Sequence, residues 1–277
     1  GELVIRSEEN EVVIRDQIPL DDFWLTAQYA SSGHLLYQRG QAGESGIWAL
    51  PFDLNSQTVT GEPFPVAPGG AGPSVSEDGT LVYRAVSTGR IIGPRQLTWV
   101  DRTGHFIAPI GSPQYYMGAQ VLSPDGRHVA VTAWENNNVD IWIHEVDRST
   151  TPDRITFDEK QDWEPTWSPD GDRIAFGSMR SGGGDIFTKA VIGDEEDQII
   201  IDGPKAEWTP HWSPTGDYLV YVVVNPDITD RDIWYLALRG DKQPVPFLDT
   251  EAEEGLPQIS PDGRYIAYAS DENDRQE

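Results

Sequence analysis

Cysteine is absent from the 277 residues, which removes disulfides, thiol nucleophiles and zinc–thiolate centres together and leaves the compartment open. Basic residues are scarce: 20 Lys and Arg stand against 46 Asp and Glu, a formal net charge of −26. A chain of that sign repels a phosphate backbone, so nucleic acid is not expected as a partner. Solubility through self-repulsion is the plainest use of the charge, and a basic protein or a cation could exploit the same field. Only Lys160, Lys189, Lys205 and Lys242 are lysines, a pattern that would also suit a salt-adapted source. Long apolar runs are missing too. The longest, Tyr218 to Val224, is seven residues, far short of a membrane span, so this chain is not expected to insert in a membrane. Gly1 leads straight into a charged strand, so no signal peptide is read here, as in a mature or excised fragment.

What the chain does have is one corner, six times over: Ala30-Ser-Ser-Gly33, Ser76-Glu-Asp-Gly79, Ser123-Pro-Asp-Gly126, Ser168-Pro-Asp-Gly171, Ser213-Pro-Thr-Gly216 and Ser260-Pro-Asp-Gly263. The glycines stand 46, 47, 45, 45 and 47 residues apart, so the whole polypeptide is one repeated unit. Proline presets the backbone of the second turn position, Ser and Asp bond nearby amides, and glycine accepts positive φ. A short apolar strand follows each corner, as in RIAFGS and YIAYAS. A third run comes later (GIWALPF at 46–52, VDIWIHEV at 139–146, RDIWYLAL at 231–238) and then a weaker fourth (PDRITF at 152–157, VPFLDT at 245–250). Four short strands per repeat describe a propeller blade, a small antiparallel sheet that buries both faces against its neighbours.

Closure can be checked by counting. Only one strand fits after the last corner, and two β-rich runs, 2–6 and 11–15, precede the first without partners of their own. Counted through the chain ends, Gly263 to Gly33 is 47 residues, one repeat. The expected fold is therefore all-β: a six-bladed β-propeller of four-stranded antiparallel blades, closed by N-terminal strands. Residues 1–277 form a single domain whose last blade is built from 255–277 plus 1–20. All-β units of this length need no second domain.

The segments EPTWSPDGDRIAFGS (164–178), LPQISPDGRYIAYAS (256–270) and VLSPDGRHVAVTA (121–133) resemble the Pro-Asp repeat of TolB-like propellers, which are related to WD-repeat proteins. W-S-P-D-G, an aliphatic-aromatic strand and D-I-W or D-I-F recur over nearly the whole chain, most faintly in residues 1–30. LPFDLNSQTVTGEPFPV (50–66), RQLTWVDRTG (95–104) and PFLDTEAEEGLPQISPDG (246–263) resemble more closely the propeller regions of many bacterial proteins, including the C-terminal halves of some membrane-anchored serine/threonine kinases. The resemblance implies an extracytoplasmic sensor or protein-interaction module, periplasmic or extracellular. No kinase Gly-rich loop, His-Arg-Asp loop or Asp-Phe-Gly occurs, so any kinase domain lies outside this chain. The first corner lacks both Pro and Asp, the second has Glu for Pro and the fifth Thr for Asp, with glycine kept throughout.

A propeller binds where loops converge around its axis. The residues immediately before the corners, Tyr29, Val75, Leu122, Trp167, Trp212 and Ile259, are all apolar, as packing between blades requires. Two before stand Gln28, Ser74, Val121, Thr166, His211 and Gln258; alternation along a strand turns this mostly polar set to the other side, where it would line the channel. His211 is either a hydrogen-bonded channel histidine or a ligand contact, and no second imidazole or carboxylate shares its level. His34, His105, His128 and His144 read as structural or exposed. Further out, at the channel mouth, stand Phe23, Trp24, Tyr115, Tyr116, Trp163 and Trp208 among Asp162, Glu164, Glu207, Glu253 and Glu254. These aromatics either cap the core or stack on a sugar or a cationic side chain. Trp48, Trp99, Trp142 and Trp234 read as inter-blade core, and Asp140, Asp185 and Asp232 as fasteners of the third strand. Asp227, Asp230 and Asp232 resemble a calcium loop in composition alone, without EF-hand spacing, so no cofactor is expected.

The reading is a non-catalytic, monomeric module that binds a protein partner or small ligand through Gln28, Ser74, Thr166, His211, Gln258, Trp24, Trp163, Glu164, Glu207, Trp208 and Glu254. The alternative is a propeller enzyme, of lyase or glycosidase type, or a sugar- or metal-binding protein, with its site in the axial channel; Glu164 and Glu207 are then the best carboxylate pair. A peptidase-gating propeller is disfavoured, since G-x-S-x-G does not occur.

Overall fold

The fold grows from its corners. A computed structural model describes residues 2–6, 11–14, 27–39, 46–75, 81–85, 94–100, 105–146, 151–225 and 230–271; the Ser76–Gly79 corner lies outside the described residues. At each of the other five the glycine amide donates to the carbonyl three residues back, at 2.8–2.9 Å. The glycine holds φ between 70 and 80°, left-handed backbone that costs little only without a Cβ. In the three Ser-Pro-Asp-Gly corners the serine hydroxyl donates to the aspartate at 2.5–2.6 Å and accepts the amide five residues on at 2.9–3.0 Å. The aspartate accepts a second amide at 3.0–3.2 Å. The serine hydroxyl holds the Asp125 and Asp170 carboxyls below their usual range. Where Thr215 replaces the aspartate, the Ser213 hydroxyl takes over and accepts the amides of Asp217 and Tyr218, both at 3.1 Å.

Each corner turns one strand into the next. Strands β1 (Glu2–Arg6) and β2 (Glu11–Ile14) precede the first repeat, which contains β3 (Ala27–Ala30), β4 (His34–Arg39), β5 (Gly46–Asp53), β6 (Thr58–Val59) and β7 (Phe64–Pro68). The second repeat contains β8 (Gly70–Val75), β9 (Leu81–Ala85) and β10 (Arg95–Val100). The long β11 (Phe106–Leu122) ends the second repeat and opens the third, which continues through β12 (His128–Glu135), β13 (Asn138–Glu145) and β14 (Asp153–Arg154). The fourth holds β15 (Asp162–Trp167), β16 (Arg173–Ser178), β17 (Asp185–Ala190) and β18 (Gln198–Ile201). The fifth holds β19 (Ala206–Trp212), β20 (Tyr218–Asn225), β21 (Asp230–Ala237) and β22 (Pro244–Leu248), and β23 (Glu254–Ile259) and β24 (Ile266–Ser270) follow. The chain is an all-β propeller of antiparallel strands, and no helix occurs among the described residues. One sheet runs β2-β1-β24-β23, with Val4 opposite Tyr268 and Leu3 opposite Ile14.

Apolar clusters sit between repeats rather than within them. Ala130, Ile141 and Ile143 of the third repeat meet Trp167, Ile174 and Phe176 of the fourth. Ala175 and Ile186 meet Leu219, Tyr221 and Val223 of the fifth, and Val220 and Ile233 meet Ile266 and Tyr268. A further cluster joins Ala27, Leu35 and Phe52 of the first repeat to Ala267. The runs read as second strands are buried on both faces, which is why they are continuous rather than alternating: Val129, Ala130 and Val131 are all fully buried. Each buried valine there contributes on the order of 1.5–3 kcal/mol by leaving water.

Candidate functional site

The innermost strands β3, β8, the second half of β11, β15, β19 and β23 lie side by side in that order, and β23 lies against β3. All run toward their corners, so their starts share one face. Four of them break register at one place: between Ala71 and Ser74, Trp163 and Thr166, Trp208 and His211, and Gly255 and Gln258. There two residues, Gly72-Pro73, Glu164-Pro165, Thr209-Pro210 and Leu256-Pro257, oppose one on the partner strand, and the residue before each proline has φ between 50 and 58°. Proline has no amide to lose and disfavours right-handed helical backbone before it, so a bulge is the natural place for it in a strand. The bulge amide then reaches the preceding repeat. Gly72 N–H donates to Gln38 Oε1 at 3.1 Å, Glu164 N–H to Thr132 Oγ1 at 3.1 Å and Thr209 N–H to Glu164 Oε2 at 3.0 Å.

A second set of links lies nearer the corners and uses the residues expected to line the channel. Gln28 Oε1 accepts the Val75 amide at 2.9 Å, and Ser74 Oγ accepts that of Leu122 at 3.1 Å. Gln258 Nε2 lies 2.9 Å from His211 Nε2. Thr166 is buried, whereas Val121 packs against the cluster between the third and fourth repeats and its carbonyl accepts Trp167 Nε1–H at 2.9 Å. The six residues immediately before the corners all touch apolar clusters. Burial pushes His211 down to about 4, so its imidazole is neutral at pH 7, and His144, which pairs with Gln114 at 3.0 Å, is lowered likewise. Burial pushes Glu164 up to about 7 against the opposing Thr209 amide. Glu164 can therefore hold or release a proton near neutrality.

The expected mouth residues divide. Trp24 and Phe23 lie outside the described residues, as do Asp227 and the side chains of Tyr116 and Asp230. Tyr115 and Trp134 face each other across β11 and β12 and are 49% and 37% exposed. Trp163 is partly buried at the start of β15. Trp208 lies on a glycine shelf of the fourth repeat: a Cβ on Gly177 would sit 2.7 Å from its Cε3, and one on Gly184 2.5 Å from its Cζ2. Of the third-strand tryptophans, Trp142 is buried, Trp99 and Trp234 pack against clusters, and Trp48 lies under the Arg39 guanidinium.

Glu207 and Glu254 fall at one repeat position, six before the corner, with Asp162 as the third member, and all three are buried. They stand with the buried aspartates that open the D-I-W/F motif. Asp140 pairs with Arg154 at 2.9 Å and Asp162 with Arg180 at 2.7 Å. Arg180 also reaches Asp197 and stacks over Phe187. At the next seam, Asp185 and Glu207 are both buried and Glu207 N–H donates to Gly184 O at 3.0 Å. At the third, Thr250 Oγ1–H donates to Glu254, and Lys205 Nζ lies 4.0 Å from Asp232. This seam geometry was missed in the sequence, although the 22-residue step from each D-I-W/F aspartate to the next such acid repeats three times. Among the described residues no three acids or histidines cluster as metal ligands.

A family model described as the TolB beta propeller domain matches residues 73–277. Comparison with curated proteins gives no match. Among solved structures, a putative TolB from Agrobacterium tumefaciens is similar at TM-score 0.72 and 22% identity, over 96% of each chain. TolB from Acinetobacter baumannii is similar at TM-score 0.62 and 17% identity, over 98% of this chain and 63% of that one. An oligogalacturonate lyase from Vibrio parahaemolyticus reaches TM-score 0.59 at 14% identity, over 87% of this chain and 76% of the lyase. At such identities the likeness is one of fold. With its corners, its stacked antiparallel sheets and a family model spanning most of its length, the chain belongs to the TolB beta propeller domain family.

Proposed function

We propose that residues 1–277 form one six-bladed propeller, its last blade made from 255–277 and 1–20, that acts as a non-catalytic module binding a protein partner or small ligand at the face where the inner strands begin. The β2-β1-β24-β23 sheet and the apolar cluster shared by the first repeat and Ala267 support the closure. The observation that carries the binding reading is the exposed cross-strand pair Tyr115–Trp134 on that face, beside the Asn136-Asn137 turn and the exposed Glu135. Channel-side groups are engaged with each other across repeats, whereas this aromatic pair is open to a ring-stacking or cationic group. The partner is met outside the cytoplasm by a monomer. This placement agrees with the sensor-module resemblance, and no helix among the described residues is long and apolar enough to cross a membrane.

Tryptophan fluorescence titrated with an oligosaccharide panel and with lysine- and arginine-rich peptides tests the reading. A saturable response to at least one probe that Tyr115→Ala and Trp134→Ala each abolish is expected. Saturable binding unchanged in both variants would move the site elsewhere. One observation favours the enzyme alternative: Glu164, held up to about 7, is suited to proton donation. Turnover of an oligogalacturonide or glycoside that disappears in Glu164→Gln would replace the binding reading with that one.

A further inference from the structure

Three seams place the same two acids at the same two positions, so their counter-charges can be compared directly. Between the third and fourth repeats, the guanidiniums of Arg154 and Arg180 neutralise Asp140 and Asp162. Between the fourth and fifth, no guanidinium among the described residues pairs with either acid. Ile199 stands opposite Phe187 where Arg154 stands opposite Trp142. Asp185 and Glu207 are 1% and 4% exposed, and Asp185 Oδ2 and Glu207 Oε2 are buried without a hydrogen-bond partner. Glu207 N–H donates to Gly184 O at 3.0 Å, which sets Glu207 beside Asp185, the next residue along the chain from Gly184. A side chain on Gly203 would overlap Glu207 Oε1, so the carboxyl is pressed against that backbone.

Two unscreened buried carboxylates cannot both remain charged at small separation. We propose that Asp185 and Glu207 hold a single proton between them at neutral pH, and that this proton locks the seam on which Trp208 is seated. One carboxyl is then the O–H donor and the other the acceptor, which satisfies both orphan oxygens at once. As pH rises the proton passes to water and leaves two carboxylates that repel. The seam sits directly under the tryptophan: Glu207 N–H donates to Gly184 O at 3.0 Å, and Gly184 is both the shelf for Trp208 and the residue before Asp185.

The other groups around the pair fit this assignment. On the fourth-repeat side β16 brings Gly177 and Ser178, without charge. Asp202 and Lys205 come from the loop between β18 and β19, with opposite effects on Glu207. From β20 comes Tyr221, whose hydroxyl burial first, and then Glu207, keep protonated. Glu164 of β15 is engaged by the Thr209 amide and Glu254 of β23 by Thr250. Burial first, and then Asp185, push Glu207 up to about 7. The inference rests on the seam and is independent of what the face binds.

A carboxyl raised on folding contributes stability that is complete below its unfolded value, about 4.5, and is lost as pH rises through about 7. Denaturant unfolding of the wild type and of Glu207→Gln from pH 4 to 8 tests this, because Glu164 titrates in both proteins and cancels in the difference. Relative to the variant, the wild-type unfolding constant is expected to rise by up to about tenfold per pH unit within that window and to level off above it. Wild-type Trp208 emission, identified by its loss in Trp208→Phe, should shift over the same range and stay constant in Glu207→Gln. Asp185→Asn, which removes the repulsion but leaves Glu207 buried, should move both profiles to lower pH and reduce their amplitude, and serves if the first variant folds poorly. A pH-independent difference between wild type and variants would overturn the proposal. So would calcium chloride alone raising the wild-type midpoint at pH 8 but not that of Asp185→Asn, since the pair would then hold a cation.

Discussion

Two neighbouring seams of one ring solve the same electrostatic problem in different ways. Between the third and fourth repeats a pair of buried acids meets two arginines, one of them shared with Asp197 and laid over Phe187. Between the fourth and fifth the equivalent pair keeps two buried oxygens without hydrogen-bond partners and meets, we infer, a proton. Repetition of sequence therefore fixes where buried charge falls but leaves its neutralisation free to vary. A guanidinium keeps its charge at any ordinary pH, whereas a proton does not; burial raises Asp140 and Asp162 as well, but it is Glu207 of the second seam that is pushed up to about 7, so that seam is the one tied to solution conditions near neutrality.

The largest effect is expected from Arg180→Ala. It strands Asp162, whose side chain is fully buried, leaves Asp197 with Lys189 alone, and should cost about 3–5 kcal/mol in denaturant unfolding. A loss below about 1 kcal/mol would mean that the two seams do not differ in the way described. Next comes the glycine shelf. Gly177→Ala forces a methyl against Trp208 and should cost about 1–3 kcal/mol, a penalty that shrinks in the Trp208→Ala background, where the ring is gone. Equal penalties in both backgrounds would place the strain elsewhere. Transplanting the arginine sharpens the comparison: Ile199→Arg, at an exposed position in register with Arg154, should flatten the loss of stability between pH 4.5 and about 7 and gain on the order of 1 kcal/mol at pH 8. An unaltered pH profile would show that the guanidinium does not reach the pair.

The smallest effect lies at the corners, which both seams share. Ser168→Ala removes one acceptor and one donor and should cost about 1 kcal/mol by thermal unfolding. The Asp170 carboxyl is lowered on folding, so its contribution is complete above its unfolded value and is lost as pH falls through the folded one. Asp170→Asn should therefore weaken the protein at pH 7 and lose its disadvantage in acid. Opposite pH slopes at corner and seam would separate the two in a single titration.

Much of the fold could be read from residues because its information is local. Turn chemistry at Ser-Pro-Asp-Gly, apolar runs of strand length and a constant period each act within a few residues, and the antiparallel order follows. The site was harder to read for a physical reason. Asp185 and Glu207 share a seam although they belong to different sheets, and a single sequence shows only that each recurs. Asp185 was read as a fastener and Glu207 as a mouth residue, and they prove to be one pair. Trp208 was grouped with Trp163, yet its place is set by Gly177 and Gly184 on another repeat. The bulges left a signal that was overlooked: a proline three residues before the corner serine, at Pro73, Pro165, Pro210 and Pro257. The residues before these prolines, Gly, Glu, Thr and Leu, have nothing in common but backbone geometry.

The proton itself is the most direct test. Infrared difference spectroscopy of the wild type and Glu207→Gln at pH 6, with glutamate and aspartate carboxyl carbons isotopically labelled, reads whether a protonated carboxyl is present. Beyond the Glu164 band common to both proteins, the account predicts a second protonated-carboxyl stretch in the wild type that fades as pH rises through about 7 and is missing from the variant, so that it stands alone in the difference spectrum. Identical carboxyl spectra from the two proteins would contradict it.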